Sequence, residues 1–585
     1  MSYPPGTPKH WRLLPTAPDD VRAQLAAYHP VVAQVLYNRG QDTPEKARAF
    51  LEGGASVLNS PFLMHGMNEA VARLRRAIAR GELVAVYGDF DADGVTSTAL
   101  LTQALRALGG RVKPYIPNRV DEGYGLNVEA LETLKEQGVS VVVTVDCGIR
   151  SVEEVAFGRD LGLDMIVTDH HSVGDELPPA LAVVDPKIDA RARVQEGRTN
   201  GYPEDMLAGV GVAYKLAQAL VLADSQQSRR DVNEKLLEDL LDLVALGTVA
   251  DLAPLDRLEN RELVRRGLEV LNRAQRPGIY ELLQVARVDP GRINTTTIGY
   301  MLGPRINAAG RLDDAMIAYE LLTADMPRAG QLAQRLQELN VQRQVLTMEA
   351  VERAIAMAGD VEAPLIFAAS PDFRSGIVGL VAGRLCEMFY RPAVVIEQGE
   401  TESRGSCRSI QEFDITQALD ECAGLLVRHG GHSQAAGFTV PNENLGALHE
   451  RLMALVTDAL GDRDLRPTLT VDAVVPFEHL TMGLAQTLNK LEPTGARNEA
   501  PLFATHDVRV VDCRRVGQED KHLRLRLARE TMQFDAIAFR QGEWFERLSP
   551  GSHVDVAYHL EINEWNGNIK LQLNVQDLRM AGQRS

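Results

Sequence analysis

The 585-residue chain is poor in cysteine: Cys147, Cys386, Cys407, Cys422 and Cys513 are odd in number, widely scattered and form no C-x-x-C pair. That excludes a disulfide-stapled miniprotein and a thiolate zinc or redox motif, and it makes a reducing cytoplasm the expected compartment. No stretch approaches eighteen uninterrupted apolar residues, and the start MSYPPGTPKHWRLLP lacks an apolar h-region, so neither membrane spanning nor secretion is expected. Excess positive charge is also absent: 62 Lys and Arg stand against 80 Asp and Glu, a net charge of −18, which rules out a uniformly basic nucleic-acid coat. The acidity lies upstream, because from Pro467 onward 14 basic residues face 16 acidic ones. Repeats, low-complexity tracts and a G-x-x-x-x-G-K-[ST] phosphate loop are missing as well.

What is present is an ordinary globular composition, 45% hydrophobic and 24% charged, long enough for about four domain-sized units. Residues 1–80 read as a helical lead-in; TPEKARAFLEG has Thr43 as N-cap, Pro44 at the first helical position and Gly53 as a stop. Between 81 and 325, Val/Ile-rich runs at 83–88, 139–145, 165–169 and 181–185 alternate with helical patterns, predicting an α/β unit with a doubly wound parallel sheet. Helical patterns dominate from about 205 to 325. A long connecting helix is predicted within 326–361, a second α/β unit over 362–462, and short alternating strands over 467–585 that suggest a small β-barrel of OB-fold type.

Acidic or imidazole groups end one strand after another in the first sheet: Asp89, Asp91 and Asp93 in GDFDADG, then Asp146, then Asp169, His170 and His171. Ligands in open α/β sheets bind outside the carboxyl ends of strands, so these groups should converge on one crevice. Clustered carboxylates repel and would be protonated unless cations neutralise them. Carboxylate mixed with imidazole and without thiolate suits Mn²⁺, with Mg²⁺ as the alternative. Two such ions would activate a water and stabilise charge on a phosphate, which implies phosphoester hydrolysis. DFDADG is not an EF-hand loop, since a strand precedes it and the twelfth-position glutamate is missing. Arg305, Asn307 and Arg311 in GPRINAAGR offer planar forks and an amide for substrate phosphates. Gly430, Gly431 and Gly437 read as a tight loop approaching phosphate.

GDFDADGVTST, YIPNRVDEGYGL, VTVDCGI, VTDHH, GTVADLAPL and GPRINAAGRLDDA follow one another in the order seen in the DHH phosphoesterases, and the chain resembles that family over nearly its whole length. GSCRSI and GGHSQAAGF are similar to its DHHA1 domain, and the C-terminal strands to an OB-fold domain. The full order resembles the single-stranded-DNA-specific exonucleases within the family. This resemblance implies 5′→3′ hydrolysis of single-stranded DNA to nucleoside 5′-monophosphates at a two-metal site, in recombination and repair. It implies Asp91, Asp93, Asp146, His170 and Asp251 as metal ligands, with Asp146 bridging and His171 also in the catalytic set. Asp89 and Asp169 are possible ligands or supports of ligands. Ser406, Arg408 and His432 are implied to bind substrate. The family resemblance further implies a single-stranded-DNA-binding protein and a RecQ-like helicase as partners, and a monomer.

The chain departs from the family pattern in three places. Phe373-Arg374 replaces the usual Trp-His, leaving Arg374 as a candidate phosphate ligand; LEPTGARNE carries Thr494, Arg497 and Glu499 where Phe, Gly and Pro are usual; and Asp185 stands where Asn is more common, which demotes it as a ligand. In the barrel, Trp544, Phe539 and Tyr558 with Arg524, Arg526, Arg540 and Lys570 are candidates for a strand-binding wall. Two other readings remain: a DHH phosphodiesterase of short RNA or cyclic dinucleotides, for which an OB-fold wall has no use, and a catalytically inactive scaffold, which should have lost the metal ligands.

Overall fold

The computed structural model describes residues 9–118, 125–197, 200–224, 230–359, 363–461, 463–565 and 568–582; the 119–124 portion of the YIPNRVDEGYGL motif lies outside them. The chain forms two units, one of Glu52–Arg343 with Pro493–Glu499, the other of Met1–Leu51, Gln344–Glu492 and Ala500–Ser585.

The first unit is built on a five-stranded sheet in the spatial order Arg111–Tyr115, Leu83–Gly88, Val139–Val145, Asp164–Thr168, Ala182–Val184. Every pairing is parallel. In chain order this is 2-1-3-4-5, the doubly wound arrangement whose switch point falls between the first and third strands. The strands are apolar throughout because both faces are covered. Val84, Val86, Val141 and Val143 enter one core with the helices Met67–Arg80, Ala92–Ala107 and Gly209–Ala223, whereas Ala85, Tyr87, Val142 and Val167 enter the other with Val128–Glu136 and Val152–Asp160. Each fully buried valine contributes about 1.5–3 kcal/mol. Arg111–Tyr115 was not anticipated: RVKPY carries a proline and is half exposed at the sheet edge, where a missing N–H is tolerated.

The run predicted as one long helix is continuous from Arg328 to Ala358. In the second unit, a mixed five-stranded sheet runs in the order Arg428–His432, Ala435–Pro441, Glu402–Arg408, Ala393–Glu397, Ile366–Ser370. The glycines expected to form a loop lie instead in paired strands, with Gly430 opposite Gly437.

The OB-type barrel closes through Phe503–Val516, His522–Arg529, Met532–Ala538, Asn568–Met580 and His553–Trp565, the last pairing back onto the first. Phe503–Val516 was missed in the sequence because irregularities at 505/508 and 510/512 break its two-residue period. The N-terminal strand His10–Leu13 pairs in parallel with Thr468–Val471. Trp11 Nε1 donates to Asp577 Oδ2 at 2.6 Å, and the Arg579 guanidinium lies 4.2 Å from the Trp11 ring centre.

Asp472 ties this unit together. Its Oδ1 accepts from Arg39 at 2.8 Å and from Asn38 Nδ2 at 3.0 Å, and its Oδ2 from the Leu502 N–H at 3.0 Å. The Asp472 and Arg39 side chains are only 5% and 9% exposed. Asp472→Ala leaves the guanidinium buried without this carboxylate, a loss of about 3–5 kcal/mol, so urea denaturation followed by barrel tryptophan fluorescence should show a clearly lowered midpoint.

Candidate active site

The sheet's switch point decides which carboxylates meet. After Leu83–Gly88 the chain turns through Asp89 and Asp91 into the helix Ala92–Ala107, which Asp91 caps by accepting from the N–H groups of Asp93 and Gly94 at 2.9 and 3.1 Å. Asp93, in the first turn, has both oxygens held by another helix start: Oδ2 accepts from Gly209 N–H at 2.7 Å and Oδ1 from Val210 N–H at 2.8 Å. After Val139–Val145, Asp146 adopts a left-handed backbone with φ 62°, a conformation aspartate tolerates better than most residues. Asp251 ends the buried helix Leu241–Ala250.

These side chains converge with the histidines. His170 Nε2 lies 3.0 Å from Asp146 Oδ1 and 3.9 Å from both Asp93 Oδ2 and Asp251 Oδ2. His171 Nδ1 is 4.0 Å from Asp146 Oδ1 and 2.7 Å from Asp169 Oδ1. Asp169 also accepts from the N–H groups of Ile149, His170 and His171, so it shapes the loop and orients the His171 ring. Three sets of potential donors, Asp146/His170/His171, Asp93/His170/Asp251 and Asp89/Asp91/Asp146, each lie within 4.8 Å of one another.

The electrostatics of this cluster call for a cation. Burial and then the charge of Asp91 push the Asp93 carboxyl up to about 7, despite its two backbone N–H donors. Burial, then Asp93 and Asp91, raise Asp146 and Asp251 well above the carboxylate range. Burial and His171 push His170 down to about 3, so its imidazole is neutral and able to donate a lone pair. Burial alone would lower His171, but the hydrogen bond and charge of Asp169 push it up to about 9. Asp146 Oδ1 and His170 Nε2 are buried and lack hydrogen-bond partners although they lie close together. A carboxylate and a neutral imidazole left unsatisfied at this spacing, with no thiolate in the set, fit a hard or borderline divalent ion.

Family models match the chain in three places: the DHH family N-terminal domain over residues 83–248, the DHHA1 domain over 362–458 and the RecJ OB domain over 471–577. The chain is 39% identical to the single-stranded-DNA-specific exonuclease RecJ of Bacillus subtilis over 98% of its own length and 71% of that protein. With RecJ of Escherichia coli it shares 34% identity over 96% and 97% of the two chains. The chain belongs to the RecJ family. A crystal structure of Thermus thermophilus RecJ in complex with Mn²⁺ superposes with TM-score 0.82 at 31% identity, covering 98% of this chain and 80% of that one. The Mg²⁺ complex of the same protein gives TM-score 0.76 at 29% identity, covering 98% and 79%.

Within this RecJ-family chain, the residues expected to hold metal all gather at the switch point. Of the expected phosphate ligands, Arg305, Asn307 and Arg311 lie on the helix Gly303–Leu312. Asn307 Oδ1 accepts from Ala92 N–H at 2.7 Å, so this side chain anchors the loop that carries Asp91 and Asp93. In the second unit, Arg408, Ala435 and His432 form one cross-strand row, and Arg408 donates to Ser406 Oγ at 3.2 Å. Arg374 immediately precedes the helix Ser375–Phe389, which packs on the strand Glu402–Arg408. Asp185 caps the helix Pro186–Glu196 through the Lys187 N–H, and burial followed by the charge of Asp169 pushes its carboxyl up to about 8. On the barrel, Arg524, Arg526, Phe539 and Lys570 are exposed, but Tyr558 is fully buried with its hydroxyl 2.8 Å from Thr505 Oγ1, which removes it from any wall.

Sequence reasoning missed three supports of the site. A Cβ on Gly209 would stand 2.6 Å from Asp146 Cβ, and one on Gly247 would stand 2.9 Å from Asp93 Oδ1, so only glycine lets these helices approach the carboxylates. Lys187 Nζ donates to the His170 carbonyl. The glycines had a faint signal in LAGVGVAYK and VALGTVA, but nothing in either stretch said what they face.

Two predictions follow from this geometry. Gly209→Ala should weaken Mn²⁺ binding at least about tenfold in calorimetric titration while the circular dichroism stays native, because the added methyl displaces Asp146. Between pH 7 and 9 the chelated protein should lose stability as pH rises: Asp185 and His171, whose folded pKa values of about 8 and about 9 exceed their unfolded ones, lose stabilising protons there. His170, with a depressed pKa, is already neutral in both states above pH 7. Thermal melts in EDTA should therefore fall over that window, and added Mn²⁺ should flatten the fall.

Proposed function

We propose that this chain is a divalent-metal-dependent exonuclease that hydrolyses single-stranded DNA from the 5′ end to nucleoside 5′-monophosphates. The observation that carries the reading is the cluster of Asp91, Asp93, Asp146, His170 and Asp251 at the sheet's switch point, where the charges repel and His170 is a neutral donor. Membership of the RecJ family, whose named relatives are single-stranded-DNA-specific exonucleases, supports the substrate. The Mn²⁺ and Mg²⁺ complexes of the Thermus thermophilus relative support a divalent metal.

In this reading Asp91, Asp93, Asp146, His170 and Asp251 would hold two Mn²⁺ ions, with Mg²⁺ the alternative. When bound, the ions lower the pKa of a water and stabilise the charge that builds on the scissile phosphate. The protein's contribution is positioning. The Gly209 and Val210 N–H groups fix Asp93, Asp169 fixes His171, and Asn307 fixes the Asp91 loop. Water adds to phosphorus, the P–O3′ bond of the terminal nucleotide breaks, and the 3′ oxygen leaves with a proton. Arg305, Arg311, Arg374, Ser406, Arg408 and His432 bind the strand's phosphates.

We place the chain as a cytoplasmic monomer in DNA recombination and repair, taking strand from a RecQ-like helicase in the presence of single-stranded-DNA-binding protein. Among the described residues no helix is long and apolar enough to cross a membrane.

Single-stranded DNA, duplex DNA and short RNA, each labelled at one end, test the reading. With Mn²⁺, mononucleotides should appear first from the 5′ end of single-stranded DNA, EDTA should abolish release, and Asp146→Ala should reduce it roughly a thousandfold. Preferential cleavage of di- to pentanucleotide RNA, or binding without cleavage in any metal, contradicts it.

A further inference from the structure

The sheet of the second unit carries more positive charge than the row of Arg408 and His432 accounts for. Its strands Glu402–Arg408, Ala435–Pro441 and Arg428–His432 pair antiparallel in unbroken register, so directly opposed residues stand side by side on one face. Arg408, Ala435 and His432 make one row across that face. Arg404, Thr439 and Arg428 make another, four residues away or about 14 Å along the strands. Arg428 leans over the strand between them, its Nε donating to Thr439 Oγ1 at 3.3 Å. Both arginines are exposed, and among the described residues neither is ion-paired, although Glu397 stands opposite Arg404 on the next strand. Two guanidinium forks on alternate strands, about 10 Å apart at Cα, can close on the oxygens of one phosphate.

The row between these two is nearly bare. It holds Ser406, Gly437 and Gly430, directly opposed to one another. Glycine inside a strand weakens it, and it marks a bulge, a tight bend or the close approach of something else. No bulge interrupts this pairing, and neither glycine has a left-handed backbone. A Cβ on Gly430 would meet nothing within 4 Å, and one on Gly437 only the Gly405 carbonyl oxygen at an ordinary 3.7 Å. Gly431 is different: its φ is 152°, and a Cβ there would stand 2.4 Å from the Ala435 carbonyl oxygen. The fold therefore demands glycine at 431 but not at 430 or 437. Close approach from outside the chain accounts for those two.

We propose that this face is a track for the substrate strand, in which Arg404 and Arg428 hold one phosphate, Arg408 and His432 another, and Gly430 and Gly437 are the floor over which the backbone between them passes. The assignment rests on the reading that the chain acts on single-stranded DNA. It makes the sheet bind a run of the strand along its own strand direction, with Arg404 and Arg428 as the far grip. A side chain on either glycine would lift the strand off that floor.

Anisotropy titrations of fluorescent twenty-residue oligothymidylate, with Ca²⁺ in place of Mn²⁺ to limit turnover, test the track across a salt series. Each phosphate contact on a single strand contributes about 0.7 to the slope of log K against log salt. The Arg404→Gln/Arg428→Gln pair should weaken binding about tenfold and reduce the slope by about 0.7, whereas Arg404→Lys/Arg428→Lys should keep the slope because both charges remain. Gly430→Val should weaken binding at least about fivefold by overfilling the floor. Its melting temperature should hold or rise, since valine favours a strand and its Cβ has room. An unchanged slope in the glutamine pair, or an unchanged affinity in Gly430→Val, overturns the track and leaves the exonuclease reading standing. A lowered melting temperature in Gly430→Val also overturns it, because the fold would then need that glycine for itself. Failure of the unsubstituted protein to bind the oligonucleotide overturns both.

Discussion

Mutual repulsion among Asp89, Asp91, Asp93, Asp146 and Asp251 is the constraint around which the first unit is organised. Their carboxyls are brought to one place by strand order, since the chain reverses its direction of growth across the sheet between the first and third strands. In water such groups would separate; here burial of the strands on both faces holds their backbones still. The protein relieves part of the repulsion through the two N–H groups of the helix at Gly209 and through His171, but Asp93, Asp146 and Asp251 still hold their protons too tightly for a plain acidic pocket. Divalent cations complete the balance, and the same ions supply what phosphodiester hydrolysis requires.

Much of the surrounding structure serves that arrangement. Gly209 and Gly247 remove the side chains that would block the helices from the carboxylates. Asn307 pins the first aspartate loop from a separate helix, and the Lys187 hydrogen bond steadies the main chain of His170. Buried Lys215 and Glu259, 2.5 Å apart, extend this rigidity behind the site, because Tyr202 and Asn59 also donate to Glu259. In the second unit, Arg408 and His432 share a cross-strand row, and the barrel exposes Arg524, Arg526, Phe539 and Lys570.

The catalytic strands were legible because a doubly covered parallel sheet demands uninterrupted Val and Ile, and their ends were marked by residues no core would accept. Arg111–Tyr115 was hidden by its proline and its exposed edge, and Phe503–Val516 by bulges that disrupt alternation. Tyr558 shows the limit of reading a barrel wall from composition: which face a strand residue takes depends on register, and register put this ring in the core. Read locally, the glycines at 430, 431 and 437 look like a loop because glycine weakens any strand signal, yet pairing with neighbouring strands holds them extended. Gly209 was beyond local pattern altogether, since the Asp146 it faces comes from a distant part of the chain.

The most direct measurement is electron paramagnetic resonance of Mn²⁺ titrated into metal-stripped protein at neutral pH, with Asp146→Asn as control. Two equivalents taken up as an exchange-coupled pair, with the coupling lost in the control, is the predicted result. Uptake of no Mn²⁺, or of isolated ions indifferent to Asp146, would contradict the view that the clustered carboxylates exist to gather two cations around a bridging aspartate.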